Sequence, residues 1–398
     1  MPRDKSWVEI SHRALEVNLA ALDRAAASNL STNTSRTAIL AVIKANAYGH
    51  GATVCAPILA RAKWLGVTDA AEGAAVRESL HAAGIAEPDQ PQILLMCGLD
   101  CADVPLLAHH RLTPVIWFPQ QLDWLAAHAT TKHPIAVHIE IDTGMARQGA
   151  RPGEELTRLL AALCRHPQLT LDGVMTHFAS AEIAGSEHTH TQQQRFEGAL
   201  DQLRSMGQHP TWLHAGNTST LDEARLLPWL STLAATLGAR LLARSGLALY
   251  GYTLPLEGAP AQLASALQLV GTWKSRVIAI RDLAPGETIG YNATFTATQP
   301  MRFALLPVGY ADGLRRELSS TTTQPGGWVM LHGQQAPILG RISMNLTTVD
   351  ITAIPEAALG DVATLLGPGI TAEDHARLAG TIPYEILCGL RARPVLVP

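Results

Sequence analysis

The sequence predicts an α/β protein in which a (β/α)8 TIM barrel is followed by a C-terminal, mostly-β domain. Between residues 37 and 251, eight short apolar runs alternate with helix-length amphipathic segments, the order that builds a parallel sheet. No G-x-G-x-x-G turn follows the first run, which favours a closed barrel over an open dinucleotide-binding sheet. After about residue 255 the pattern becomes alternating and strand-like, broken by Gly and Pro, as in an all-β domain of roughly 140 residues.

In chain order, WVEI at 7–10 precedes the first helix and lies outside the eight runs, so it is expected to pair with the β domain. The runs are TAILAVI (37–43), KWLGVT (63–68), PQILLMC (91–97), LTPVIW (112–117), PIAVHIEI (134–141), LTLDGVM (169–175), TWLHAG (211–216) and ARSGLALYG (243–251). Then come ALQLVGTWKSRVIAI, GETIGYNATF, RFALLPVGYADG, GWVMLHG, APILGRISMNLTTVDIT and DVATLLG. The expected division is an N-terminal strand at 1–10, a barrel at 11–254 and a β domain at 255–398.

Composition narrows the class. The chain of 398 residues is 47% apolar and 16% charged, with a formal charge of −4, which suits a globular protein with ample core. That balance gives no reason to expect nucleic acid or a membrane surface as partner. No apolar stretch reaches the roughly 20 residues of a bilayer span, and the first residues lack the apolar core of an export signal, so a cytoplasmic protein is expected. Five dispersed cysteines without a C-x-x-C pair imply reduced thiols rather than a disulfide frame or zinc site. The pairs His109-His110 and His188-x-His190 lack matching ligand spacing, so no metal is expected.

The chemistry gathers just after the barrel runs, where barrel enzymes keep their active sites. Lys44 closes the first run and opens the glycine-closed loop KANAYGHG, with Tyr48 in that loop. Lysine is scarce here, five residues against 25 arginines, so an amine at a strand end is not a product of abundance. Arg147 follows the fifth run, His177 the sixth, Asn217 and Thr218 the seventh, and Arg244, Gly246 and Leu247 lie in the eighth. Singly, each has a bland reading as a surface cation, a satisfied histidine or a turn. Jointly they describe a site for an anionic cofactor that forms an imine with an amine. Thr218 is expected to cap a helix and, with Gly246 and Leu247, to offer N–H groups to a phosphate. Lysine, phosphate cradle and barrel together point to pyridoxal 5'-phosphate.

AVIKANAYGHG, IDTGMARQG, THFA, HAGNTST, RSGLALYG, GYNATF and GRISMNLTTVD resemble, in order and spacing, the motifs of the alanine racemase family of fold type III pyridoxal-phosphate enzymes. The resemblance runs over almost the whole chain. It implies a homodimer whose active sites are completed by the partner's β domain, racemising L- and D-alanine by a two-base mechanism. The D-alanine would serve peptidoglycan, or the enzyme alanine catabolism.

Residue by residue, the resemblance makes Lys44 the cofactor's amine and the base on one face, and Tyr291 the base on the other, reaching in from the partner. It makes His177, bonded to Arg244, the support of that tyrosine, and turns Arg244 toward the pyridine nitrogen. Arg147 would bind the cofactor's phenolic oxygen and the substrate carboxylate, aided by the Met344 N–H. Tyr48, Asn217, Thr218, Gly246 and Leu247 would complete the cofactor site.

Four departures stand out. Glu140 occupies a position where many members carry a carbamylated lysine, and is expected to supply the negative charge that fixes Arg147. Asn345 replaces the usual aspartate after Met344, Gln148 replaces a leucine as a packing change, and Ala392 stands where some members place a phosphate-binding tyrosine. The alternatives are a racemase of broader range, acting on serine or basic amino acids, a fold type III decarboxylase, and a non-catalytic cofactor carrier. The decarboxylase is opposed by Cys388, whose helical setting PYEILCGL lacks that family's cysteine motif, and the carrier by the β domain bearing Tyr291 and Met344.

Overall fold

In the computed structural model, which describes residues 4–28, 37–222, 225–258 and 262–398, the first strand, β1 (Ser6–Ser11), is followed by a helix over His12–Ser28. Eight parallel strands then close into a barrel: β2 (Ala38–Val42), β3 (Trp64–Val67), β4 (Gln92–Leu95), β5 (Thr113–Ile116), β6 (Ile135–Glu140), β7 (Leu169–Thr176), β8 (Trp212–Ala215) and β9 (Arg240–Ser245). Closure is made where β2 pairs with β9, Ala38 opposite Leu242 and Leu40 opposite Arg244. All eight apolar runs supply strands, because residues buried on both faces of a parallel sheet must be apolar nearly throughout.

The last run sits differently from expectation. The strand begins at Arg240 rather than 243, and after Ser245 the segment GLALYG forms a 3-10 turn over Leu247–Tyr250 instead of continuing extended. Register decides this: the bonds to β2 end at Ala41–Ser245, and Tyr250 then donates its hydroxyl to the Val42 carbonyl at 3.2 Å. Gly246 and Leu247 therefore open a helical turn at the barrel's carboxyl rim.

The helices between strands are bounded by local chemistry. Asp69 caps the helix Ala70–Ala82 by accepting from the Glu72 N–H at 2.9 Å, and Glu72 in return accepts from the Thr68 N–H at 2.7 Å. Ser186 caps Glu187–Ser205, and Gly238 in the left-handed region ends Leu226–Leu237. No helix of the described residues is long and apolar enough to cross a membrane.

The β-rich part holds a six-stranded sheet in the order Gln334–Pro337, Trp328–Leu331, Val362–Leu366, β10 (Gly271–Arg276), β1 and Arg393–Val397. WVEI thus pairs as expected, antiparallel to β10 with Val8 opposite Trp273, and parallel to the last strand with Val8 opposite Pro394. Trp273 is fully buried and donates Nε1–H to Ser6 Oγ at 2.8 Å. A three-stranded sheet joins Ala279–Leu283, Met301–Leu306 and Thr347–Asp350, and a short ribbon joins Thr288–Ile289 to Phe295–Thr296. Tyr291 lies in the connection of that ribbon.

The chain groups into two compact units. One comprises Ala14–Ala45 and Cys55–Gln268; the other comprises the residues up to Arg13, Asn46–Val54 and Leu269–Pro398. The lysine loop thus passes from one unit into the other just after Lys44.

Candidate active site

Lys44 opens a five-residue helical turn, Lys44–Tyr48, at the end of β2. Its hand is unusual: φ is +54° at Ala45, Asn46 and Ala47 and +52° at Tyr48. A left-handed turn in L-residues costs roughly 1–2 kcal/mol per residue, so four in a row persist only under firm local restraint. The restraint is the GHG that closes the loop. His50 is buried, and its Nδ1–H lies 3.0 Å and 2.9 Å from the Ala47 and Tyr48 carbonyls. The Gly51 N–H donates to the Asn46 carbonyl and the Ala52 N–H to Asn46 Oδ1, each at 2.9 Å. Burial pushes the His50 imidazole down to about 4, with the two carbonyl bonds opposing, so the ring is neutral. The Tyr48 ring packs on Tyr384 with centroids 5.8 Å apart.

Arg244 is the hub of the barrel mouth. It is buried, donating from Nη2 to the Thr176 carbonyl at 2.8 Å and to His177 Nδ1 at 3.2 Å, and from Nη1 to His214 Nδ1 at 3.0 Å. A guanidinium can only donate, so both Nδ1 atoms must be acceptors. His177 is pushed down to about 3, by burial first and then by Arg244, Arg147 and Lys44. It is therefore neutral with its proton on Nε2, and presents a donor where an acceptor would otherwise be assumed. Those same three cations, Lys44, Arg147 and Arg244, all act electrostatically on His177.

Two helical turns begin side by side on the rim. Thr218 opens Thr218–Asp222 and touches Ser245 at the end of β9, their hydroxyl oxygens 3.2 Å apart, while Leu247 opens the next turn. The first N–H groups of a helical turn have no partner within it, so this juxtaposition supplies donors from two directions. The cap is not Thr218 as expected: Asn217 Oδ1 accepts from the Ser219 N–H at 3.0 Å, because the residue before the turn is the one whose side chain can fold back. Thr218 is left to hold Ser245. The site thus fits a phosphate-bearing group carrying an aldehyde for Lys44.

Glu140 ends β6 and is 2% exposed. Its carboxylate is bonded by Gln148 Nε2, which also donates to the Met96 carbonyl at 2.9 Å. The Glu140 side chain is bonded by Gln148, while Arg147 is exposed and reaches Glu140 through its field. Burial raises the Glu140 carboxyl above its ordinary range, against Gln148, Arg244 and Arg147. Gln148 is accordingly a polar partner, not a packing change. Arg147 rides on a loop pinned by Asp142 Oδ1, which accepts from the Gly144 and Ala146 N–H groups at 3.0 Å.

In the β-rich unit, Tyr291 and Met344 are 66% and 57% exposed, large side chains held out from their own core. The Met344 loop is tied to the neighbouring Tyr310 loop: the Tyr310 N–H donates to the Ser343 carbonyl and Ala311 N–H to the Met344 carbonyl. Asn345 Nδ2 adds a bond to Asp312 Oδ2 at 3.1 Å, which an aspartate could not donate. Ala392 carries no polar side chain. Among the described residues no cluster of His, Cys, Asp or Glu has the makings of a metal site. Sequence reasoning missed His50 and His214 and read Gln148 as packing; a titratable residue inside an apolar strand run was the available signal for His214.

Residues 10–254 match the family model for the alanine racemase N-terminal domain, and 270–397 that for its C-terminal domain. The chain belongs to the alanine racemase family. It is 36% identical over 394 residues to the alanine racemase of Syntrophobacter fumaroxidans, covering 97% of this chain and 95% of the relative. It is 35% identical to that of Sorangium cellulosum, covering 98% and 97%. Among solved structures, the Streptomyces coelicolor alanine racemase superposes with a TM-score of 0.82 at 28% identity, over 99% of this chain and 98% of that one. The Bacillus anthracis enzyme with bound L-Ala-P also gives 0.82, at 26% identity over 100% and 96%.

Acid should unfold this protein early. His177, His50 and His375 have folded values of about 3, 4 and 4, below the ordinary 6.5, so their stabilisation is complete above pH 6.5 and is lost as pH falls below it. Each costs ~1.4 kcal/mol per pH unit over that window. Denaturant midpoints measured at pH 7 and pH 5 should differ clearly; equal midpoints would contradict the neutral, buried assignment.

Proposed function

We propose that this chain interconverts L- and D-alanine with pyridoxal 5'-phosphate, using one base from each of two subunits of a cytoplasmic homodimer. The observation that carries the reading is the Arg244–His177 pair. It sets a permanent cation and an Nε2–H donor side by side, within the electrostatic reach of Lys44.

When bound, the cofactor withdraws electrons from the substrate's α-carbon and so acidifies its proton. Everything else falls to side chains. Lys44 would hold the cofactor through its amine and, with that amine free, would exchange the α-proton on one face. Tyr291 of the partner subunit exchanges it on the other, since inversion needs removal and return on opposite sides. Tyrosine is a weak base near pH 7, and a donor such as His177 Nε2–H stabilises its ionised form. Arg244 would present a permanent cation to the cofactor's ring and so would make it a weaker electron sink, which favours return of the proton over other outcomes.

Thr218, with the backbone N–H groups of Gly246 and Leu247, holds the phosphate, with Asn217 shaping the turn and Tyr48 as a further ligand implied by the family. Arg147 offers its planar fork to the substrate carboxylate, and the Met344 N–H of the partner subunit assists. Glu140, through Gln148 and its field, biases Arg147 toward that pose.

Two results test this. Borohydride reduction followed by peptide mapping should place the cofactor on Lys44; an adduct on Lys274, which is paired with Glu9 at 2.6 Å, would overturn the assignment. Glu140→Gln removes a buried charge whose ionisation opposes folding, so the melting temperature at pH 7 should hold or rise. Loss of its field on Arg147 should raise KM for alanine about tenfold, in line with a charged contact of about 1.5 kcal/mol. An unchanged KM would remove Glu140 from the site.

A further inference from the structure

Beneath Arg244 lies a polar chain that the reaction as described does not use. His138 on β6 and His214 on β8 are both fully buried, with His138 Nδ1 and His214 Nε2 2.9 Å apart. His138 Nε2 lies 3.5 Å from Asp172 Oδ2 on β7. His214 Nδ1 meets Arg244 Nη1. Barrel interiors are normally filled by branched aliphatic side chains, and two imidazoles there forgo that packing and must be satisfied as a network or not at all.

The site is built to hold them. A Cβ on Gly173, which pairs with His138 across β6 and β7, would come within 2.4 Å of the His138 ring, so only glycine leaves it room. Trp64 closes another side, its ring centroid 4.9 Å from that of His138.

The order of protons follows from one end. Arg244 can only donate, so His214 Nδ1 accepts and the neutral ring carries its proton on Nε2. That proton is donated to His138 Nδ1, which puts the His138 proton on Nε2, facing Asp172. Burial is the leading cause that keeps both rings neutral. Asp172 is suited to the far end: burial works to raise it, but His138, Thr211 and Arg240 outweigh that and hold the carboxyl below its ordinary range.

We propose that Asp172, His138 and His214 are positioning residues that lock Arg244 in place through a one-way chain: Arg244 donates to His214, His214 donates to His138, and the His138 Nε2–H faces the Asp172 carboxylate at 3.5 Å, an electrostatic contact rather than a hydrogen bond. The chain gives the guanidinium an acceptor backed by a carboxylate, where no carboxylate among the described residues lies within ion-pair distance of Arg244. It starts on β7 at Asp172 and, through Arg244, returns to that strand's end at His177, five residues or about 17 Å further on. The half from Asp172 to His214 rests on geometry alone; its bearing on turnover rests on the reading of Arg244 given above.

The test is long-range ¹H–¹⁵N correlation on the purified enzyme carrying ¹⁵N-histidine, with kcat and KM measured in parallel. The expected spectrum shows His138 and His214 neutral, each protonated on Nε2 alone. Asp172→Ala should leave the tautomers that Arg244 imposes but shift the His138 Nε2 resonance, and should lower kcat about tenfold with little change in KM, as loss of an orienting partner does elsewhere. Asp172→Asn, which keeps an acceptor oxygen, should restore kcat. A His214 protonated on Nδ1, a doubly protonated ring, or an Asp172→Ala enzyme with unchanged His138 Nε2 resonance and kcat would overturn the proposal. The tautomers are read whatever reaction the enzyme catalyses, so failure of the chain and failure of the racemase reading remain distinguishable.

Discussion

A guanidinium kept charged inside a barrel is the constraint around which this site is arranged. Arg244 has lost its water, and burial pushes it down to about 10, with Glu140 opposing that fall and Arg147 adding to it. A buried cation persists only if its donors find partners, and three acceptors, one on β8 and two at the end of β7, supply them. Each acceptor is thereby committed to one state. His177 must be neutral and must carry its proton on the outward nitrogen, His214 must turn its bare nitrogen upward, and the Thr176 carbonyl must point inward. The chemistry of the mouth is set by what Arg244 demands of its neighbours.

The second constraint is backbone rather than charge. A left-handed turn follows Lys44 directly, so its backbone is held where β2 stops and the chain leaves for the β-rich unit. Asn46 and His50 close the turn through four hydrogen bonds that any right-handed continuation would break. Glycine at 49 is required twice over: its φ is +79°, and a Cβ there would lie 2.2 Å from the Leu387 carbonyl oxygen. Strain of this kind is confined to a few residues and is tolerated where the surrounding contacts define the conformation.

Much of this was legible in the sequence, for physical reasons. Strands buried on both faces must be apolar throughout, so the eight barrel runs announce themselves, and a lone amphipathic WVEI outside them needs another sheet. Short-range chemistry read less well. ARSGLALYG looks extended from end to end, yet register with β2 stops the strand at Ser245 and frees Gly246 and Leu247 as turn donors. Thr218 looked like a cap, but the turn begins one residue earlier than its side chain could serve. The family resemblance gave Glu140 the task of fixing Arg147 by its charge, and only the fold brings Gln148 across to bond its oxygen. His138 and His214 were hidden because a single histidine in an apolar run says nothing of the partner on another strand.

The central claim is that the two bases belong to different chains, Lys44 to one subunit and Tyr291 to the other. Co-refolding equal amounts of Lys44→Ala and Tyr291→Phe proteins measures this directly. Each variant alone should be nearly inactive, while each mixed dimer should contain one intact site. Random pairing in a two-fold dimer should then restore about a quarter of the unaltered activity. A mixture as inactive as its two components would show that both bases must come from one chain, and would contradict the account.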